Sequence, residues 1–133
     1  HAGEIGEEIA KKFLVDAGYE ITSFGELASN VFSMDKSYER LIRRGSVELF
    51  LGDKHQDFIR LCKVWKKEHW AGLDWVGRKE GKIYLIEVKA NRAVLKDSQK
   101  KTLLKGKELG FIPLVVRIKV KISAPQEVQW KFV

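Results

Sequence analysis

The chain contains one cysteine, two prolines and one methionine in 133 residues. A single thiol, Cys62, excludes an intramolecular disulfide framework and any cysteine-only zinc site, and makes a reducing intracellular setting, cytoplasmic or nucleoid-associated, the simpler expectation. No apolar run approaches the roughly 20 residues that a membrane helix needs. No charged-then-apolar leader opens the chain, and the absence of Met before His1 leaves room for an additional domain or partner protein. A glycine-rich phosphate loop, a nucleophile elbow and a dinucleotide fingerprint are also missing, so nucleotide hydrolysis and acyl transfer lack support. There are no internal repeats and no low-complexity linker. The length suits one domain, 1–133, since two halves would each be too small to bury a good core.

Hydrophobic residues make up 44% of the chain and charged residues 32%, the balance of a globular protein. The net charge of +7 is unevenly spread. Residues 1–35 carry two basic and seven acidic side chains, whereas 96–133 carry nine basic and three acidic ones. Positive charge concentrated after the first 35 residues suits a protein that neutralises phosphates, although charge alone does not separate that from a solvated surface.

Gly3 to Ala17 reads as an amphipathic helix with Ile5, Ile9, Phe13 and Leu14 on its apolar side and Gly18 as its stop. A short strand follows over Tyr19 to Phe24, then a turn-rich stretch from Gly25 to Lys36. Ser37 to Leu51 and Asp53 to Lys67 have helical spacing, broken near Gly45 and Gly52. From Leu73 the period changes. Leu73 to Val76 and Lys82 to Lys89 form the two arms of a hairpin, the second nearly apolar throughout and therefore buried on both faces. Asp97 caps a helix to Leu109, with Leu103, Gly106 and Leu109 toward the sheet, and strands follow over Phe111 to Val120 and Glu127 to Val133. The class is α/β, a central mixed sheet flanked by helices, with a helical insertion at about 25–70.

The informative residues lie on the hairpin. Ile83, Leu85, Glu87 and Lys89 alternate onto one face, so an apolar strand delivers a carboxylate and an ammonium at its end. Pairing around an Arg78 to Gly81 turn places Asp74 close to opposite Leu85 and diagonal to Glu87. Two carboxylates on rigid strands can bind a hard divalent cation through oxygen, and Lys89 can orient water or stabilise charge on a phosphate. The competing reading is a salt-bridge network of Asp74 and Glu87 with Lys89 or Arg92.

Gly6-Glu7 on the first helix, Asp74 on one hairpin arm, Glu87-Val88-Lys89 on the other, and a following helix with Gln99 resemble the PD-(D/E)XK nuclease superfamily. The opening segment, Gly6 to Ala10 through Ala17 to Ile21, is similar to that of small archaeal Holliday-junction resolvases. The resemblance covers residues 3–24 and 71–120 and implies a restriction-endonuclease-like αβββαβ core. It implies magnesium or manganese held by Asp74 and Glu87, with the Val88 carbonyl as a further ligand and Glu7 (or Glu8 as fallback) completing the site. Lys89 takes the motif lysine, and Arg92 and Gln99 take supporting positions. Leu73 stands where the family motif has proline, and the Gly25 to Trp70 insertion is absent from small junction resolvases, which points it toward substrate choice or oligomerisation.

Arg40, Arg43, Arg44, Lys66, Lys67, Arg92, Lys100 and Lys101 are the candidates for contact with DNA, although solvated helix faces account equally well for those in the insertion. Trp65 and Trp75 are expected in the core, with Trp70 open between core and a base-stacking platform. His55 and His69 are too far apart for a local metal pair and are expected at the surface, and Cys62 is expected to be a buried hydrophobe. The expectation is a metal-dependent DNA endonuclease that hydrolyses phosphodiester bonds, with preference for junctions or branched DNA and a homodimer implied by the resemblance. The alternatives are a non-catalytic nucleic-acid-binding module on the same fold and the nuclease domain of a larger protein.

Overall fold

The computed structural model describes residues 2–32, 47–119 and 127–133. Five strands form one mixed sheet in the order β1 (Glu20–Ser23), β2 (Trp75–Lys79), β3 (Lys82–Ala90), β4 (Ile112–Lys119), β5 (Glu127–Phe132). Neighbours are antiparallel except β3 and β4, which run parallel. Helix α1 (Ala2–Asp16) precedes the sheet and α4 (Asp97–Glu108) makes the crossover between the parallel strands. Between β1 and β2 the chain leaves the sheet to form α2 (Phe24–Val31), helical residues 47–51, a single 3-10 turn at Gly52–Lys54 and α3 (His55–Lys67). No helix of the described residues is long and apolar enough to cross a membrane.

One face of the sheet is covered by α1, the other by the insertion together with α4. On the first face Ala10 and Leu14 are fully buried against Ile86, Val88, Leu114, Val116 and Ile118. The buried stripe of α1 is Gly6, Ala10 and Leu14 with Ile9 packed beside it, so Leu14 and Ile9 face the sheet as expected, whereas Ile5 and Phe13 do not, at 48% and 43% exposed. The reason is close approach: a Cβ on Gly6 would sit 3.2 Å from that of Ala90, so small residues must face the sheet and bulky ones flank them. On the second face Phe24, Leu27, Phe58, Leu61 and Cys62 from the insertion join Val76, Ile83, Leu85, Leu103 and Val115 in one apolar cluster. The insertion is thus half of the core. Gly106 also behaves as its position requires, because a Cβ there would collide with Leu85.

The stretch from Gly25 onward holds a helix where the sequence reads as turn-rich. Ser23 caps it by accepting the N–H of Glu26 at 3.2 Å, and Ser23-x-x-Glu26 has the spacing of a capping box. Arg78 of β2 ties the insertion to the sheet, donating to the carbonyls of Leu49 and Phe50 at 3.0 and 3.2 Å and to Glu20 at 2.6 Å. Lys54 does the same at the other end, reaching the Leu109 carbonyl at the end of α4 at 3.3 Å.

The hairpin turn is tighter than the sequence reading allowed. Lys79 pairs with Lys82, leaving only Glu80 and Gly81 in the turn, with φ of 52° and 76°. Two consecutive positive φ values are the mark of a type I′ connection, whose twist matches that of the flanking strands. The strand accordingly starts at Trp75 and not at Leu73, and the register shifts by two: Leu85 lies opposite Val76. Trp75 pairs with Ile86, so Asp74, one residue before the strand, falls opposite Glu87 itself rather than diagonal to it.

Candidate functional site

Glu87 sits in the central strand with apolar neighbours in the chain and is 3% exposed. Its Oε2 is buried and has no hydrogen-bond partner. Burial pushes its acid form up to about pH 9, aided by hydrogen bonding to Asp74 and by the charge on Asp74, while Lys89 and the Val88 N–H act in the opposite direction. Glu7, half-buried on α1, also shifts upward, first through burial and then through a hydrogen bond and repulsion shared with Asp74. Asp74 is thus the common neighbour of both glutamates. It is held in place by the backbone: Val88 N–H donates to its Oδ2 at 2.7 Å, and its own carbonyl accepts from Phe24 N–H at 3.3 Å.

The structure gathers Glu7, Asp74 and Glu87 with Lys89 two residues further along the strand. It selects Glu7 over Glu8, which is exposed. None of the ion pairs among the described residues involves Asp74, Glu87 or Lys89, which removes the support for a salt-bridge network as the explanation of this cluster. Val88 contributes a donor to a carboxylate, a role its motif position does not announce. Gln99 turns its oxygen to the backbone N–H of Lys96 at 2.9 Å, fixing the start of α4 with Lys96 as cap and Asp97 as first helical residue.

A buried carboxylate oxygen with no donor, next to a second carboxylate, can be satisfied by a shared proton or by a cation. The donor set is all oxygen, as magnesium or manganese prefers, and Asp74 and Glu87 are the side chains that would hold the ion, with Glu7 adjoining. Among the described residues no group of three or more His, Cys, Asp or Glu side chains is placed to hold a metal ion. Magnesium does not require such a group, because it commonly takes one or two carboxylates and fills its shell with water and phosphate oxygens.

Of the expected DNA-contacting residues, Lys66, Lys67, Arg92, Lys100 and Lys101 are exposed. Lys66 lies over the Phe32 ring at 4.4 Å. Arg40, Arg43 and Arg44 fall outside the described residues. Trp65 and Trp75 pack against the two apolar clusters, and Trp70 is half-buried. His69 is exposed, while His55 is half-buried and bonds the Gly52 carbonyl at 3.0 Å. Cys62 is fully buried and its thiol is pushed up to about 12 by that burial.

Arg117 is the residue that sequence reasoning missed. Its guanidinium donates to the carbonyls of Asn91 and Ala93 at 3.0 and 2.5 Å, pinning the loop that carries Arg92. β-Register places it beside Lys89. The available signal was a lone charge inside the apolar run Pro113 to Ile118. No known protein family, curated protein or solved structure matches the chain.

Proposed function

We propose that the chain is a magnesium- or manganese-dependent endodeoxyribonuclease. The observation that carries this reading is that Glu87, buried in a central strand with a donorless Oε2, lies opposite a second carboxylate, Asp74, in the hairpin register, with a lysine on the same face. Ionising both members of such a buried pair is costly, so the site takes up a proton or a cation, and a divalent ion can replace the proton. Two features of the chain support the nuclease in particular. The element order from α1 through β4, setting the insertion aside, is helix, three strands, helix, strand, as in the restriction-endonuclease-like core. The acid, acid and lysine of the PD-(D/E)XK pattern fall at Asp74, Glu87 and Lys89, with Glu7 beside them.

Asp74 and Glu87 would hold the cation, and Val88 N–H keeps Asp74 in position. Such an ion, when bound, would supply charge neutralisation at the scissile phosphate and help to activate water. Lys89 orients the attacking water or offsets charge that develops on the phosphate. Glu7, tied to Asp74 by a hydrogen bond and by repulsion, would complete or orient the site.

The test is cleavage of a labelled panel comprising duplex, four-way junction, flap, single-stranded DNA and RNA, with magnesium, manganese or chelator, beside Lys89→Ala. Metal-dependent cutting that disappears in the variant is expected. Salt-sensitive binding without any cutting would transfer the proposal to a non-catalytic nucleic-acid-binding module.

A further inference from the structure

A groove of about 770 Å³ opens on the face of the sheet shared by Glu87 and Lys89, bounded by α4, β5 and the loop after β3. Its volume falls within the roughly 300–1,000 Å³ of ligand-holding clefts. Two of its apolar residues are unusually open to solvent, Val94 at 74% and Leu104 at 55%. Three cations, Lys100, Arg117 and Lys131, line the same groove, and none of its described lining residues is acidic. Register joins it to the carboxylates: β4 sets Val115 beside Glu87 and Arg117 beside Lys89, and both β4 residues belong to the groove.

We propose that this groove holds an unpaired nucleic-acid strand as it leaves the carboxylate centre, so that the preferred substrates contain a single-stranded stretch. The direction given to the strand rests on the nuclease reading. The choice of occupant rests on chemistry. Cations without acidic neighbours call for phosphates, and exposed aliphatic walls call for apolar faces. A duplex offers the phosphates but stacks its bases inside, whereas an unpaired strand offers phosphates and base faces together. Arg117 is already anchored to two loop carbonyls, so its charge is fixed at the mouth of the groove before any strand arrives.

The test is fluorescence anisotropy with the full chain, in chelator so that nothing is cut, using labelled oligothymidylate and a duplex hairpin of equal charge. The single strand is expected to bind more tightly. Lys100→Gln combined with Lys131→Gln should weaken strand binding about tenfold and reduce the salt slope by about 1.4, as the loss of two phosphate contacts on a single strand requires. Leu104→Ser should weaken binding with the salt slope unchanged, with thermal melting confirming that each variant folds. Equal affinity for strand and duplex, or strand binding unaffected by the paired lysine variant, overturns the proposal. Strand binding by a wild-type chain that cuts nothing supports the groove and overturns the nuclease. Cutting that survives while the lysine variant binds the strand normally overturns the groove alone.

Discussion

Glu87 faces Asp74 across the β2–β3 hairpin from a position only 3% exposed, and its Oε2 has no donor. The pair therefore carries its excess charge unrelieved unless a proton or a cation enters. Protons and divalent ions compete for the same oxygens, and each has a distinct dependence on pH.

Without metal, Glu87 titrates near 9 in the folded chain against an ordinary value of 4.5, and Glu7 is shifted in the same direction. The folded state holds protons that the unfolded state has released. The stabilisation from these groups is complete below pH 4.5 and declines as pH rises toward about 9. Glu87→Gln removes the acid while keeping a polar group beside Asp74. Chemical denaturation at pH 8 should show the variant more stable than the wild type by on the order of a few kcal/mol, with a flatter pH profile. Magnesium should stabilise the wild type increasingly as pH rises and leave the variant unchanged. A variant less stable at pH 8 would mean that Glu87 is a structural partner instead.

Asp74 does two things, and two substitutions separate them. Asp74→Asn retains an oxygen for Val88 N–H, which now donates at 2.7 Å, and removes only the charge. Asp74→Ala leaves that N–H without its partner, at a cost of about 1–3 kcal/mol. Isothermal titration should find magnesium binding lost in both, whereas thermal melting should find only the alanine variant destabilised. Equal melting temperatures would show that the Val88 bond contributes little.

Lys89 lies on the face of Glu87 but makes no ion pair with it among the described residues. If it acts on water or phosphate, Lys89→Ala should lower the single-turnover cleavage rate about 10²- to 10⁴-fold, the usual range for a positioned proton-transfer group. Metal binding should persist, since no carboxylate has been removed. Retained cutting would exclude Lys89 from the chemistry.

Phe58 tests whether the insertion is decoration or core. It is fully buried against Phe24, at 5.6 Å between ring centroids, and Phe111, at 6.3 Å. Phe58→Ala should cost about 3–5 kcal/mol and lower the single unfolding transition of the whole chain. A separate early transition, with the sheet unaffected, would show the insertion to be independent.

What the sequence made legible follows the strength of each local signal. The apolar run around Ile83 to Val88 reads as a central strand and is one, and the acid and lysine within it make it the place to look for a site. Helix α4 and the strands after it were equally plain, bounded by Gly110 and the apolar run from Phe111. Two features were not legible because they depend on partners distant in the chain. The buried stripe of α1 is decided by how closely Gly6 approaches Ala90, which the spacing of large apolar residues does not reveal. The anchoring role of Arg117 depends on a loop more than twenty residues earlier. The Ser23 cap is different, since its spacing to Glu26 is present in the sequence but goes unread within a weakly patterned stretch. The hairpin register was misplaced for a related reason. Arg78-Lys79-Glu80-Gly81 reads as a four-residue turn until Lys79 and Lys82 are seen to pair.

That register depends on Glu80, which holds φ of 52° next to Gly81 at 76°. Glutamate tolerates the left-handed region poorly, whereas asparagine enters it readily and asparagine-glycine is the preferred pair for this turn. Glu80→Asn should therefore stabilise the chain by about 0.5–1 kcal/mol, and Glu80→Val, β-branched at a positive φ, should destabilise it by more. Both effects should appear in thermal melting at low pH, where Glu7 and Glu87 are neutral in either state and contribute no difference between variants. Magnesium titration near pH 8 then supplies the link to the site. A turn that fixes the facing of Asp74 and Glu87 should leave metal affinity unchanged in Glu80→Asn and weaken it in Glu80→Val. Unchanged affinity in the valine variant, despite lost stability, would show that Val88 N–H alone is enough to position Asp74.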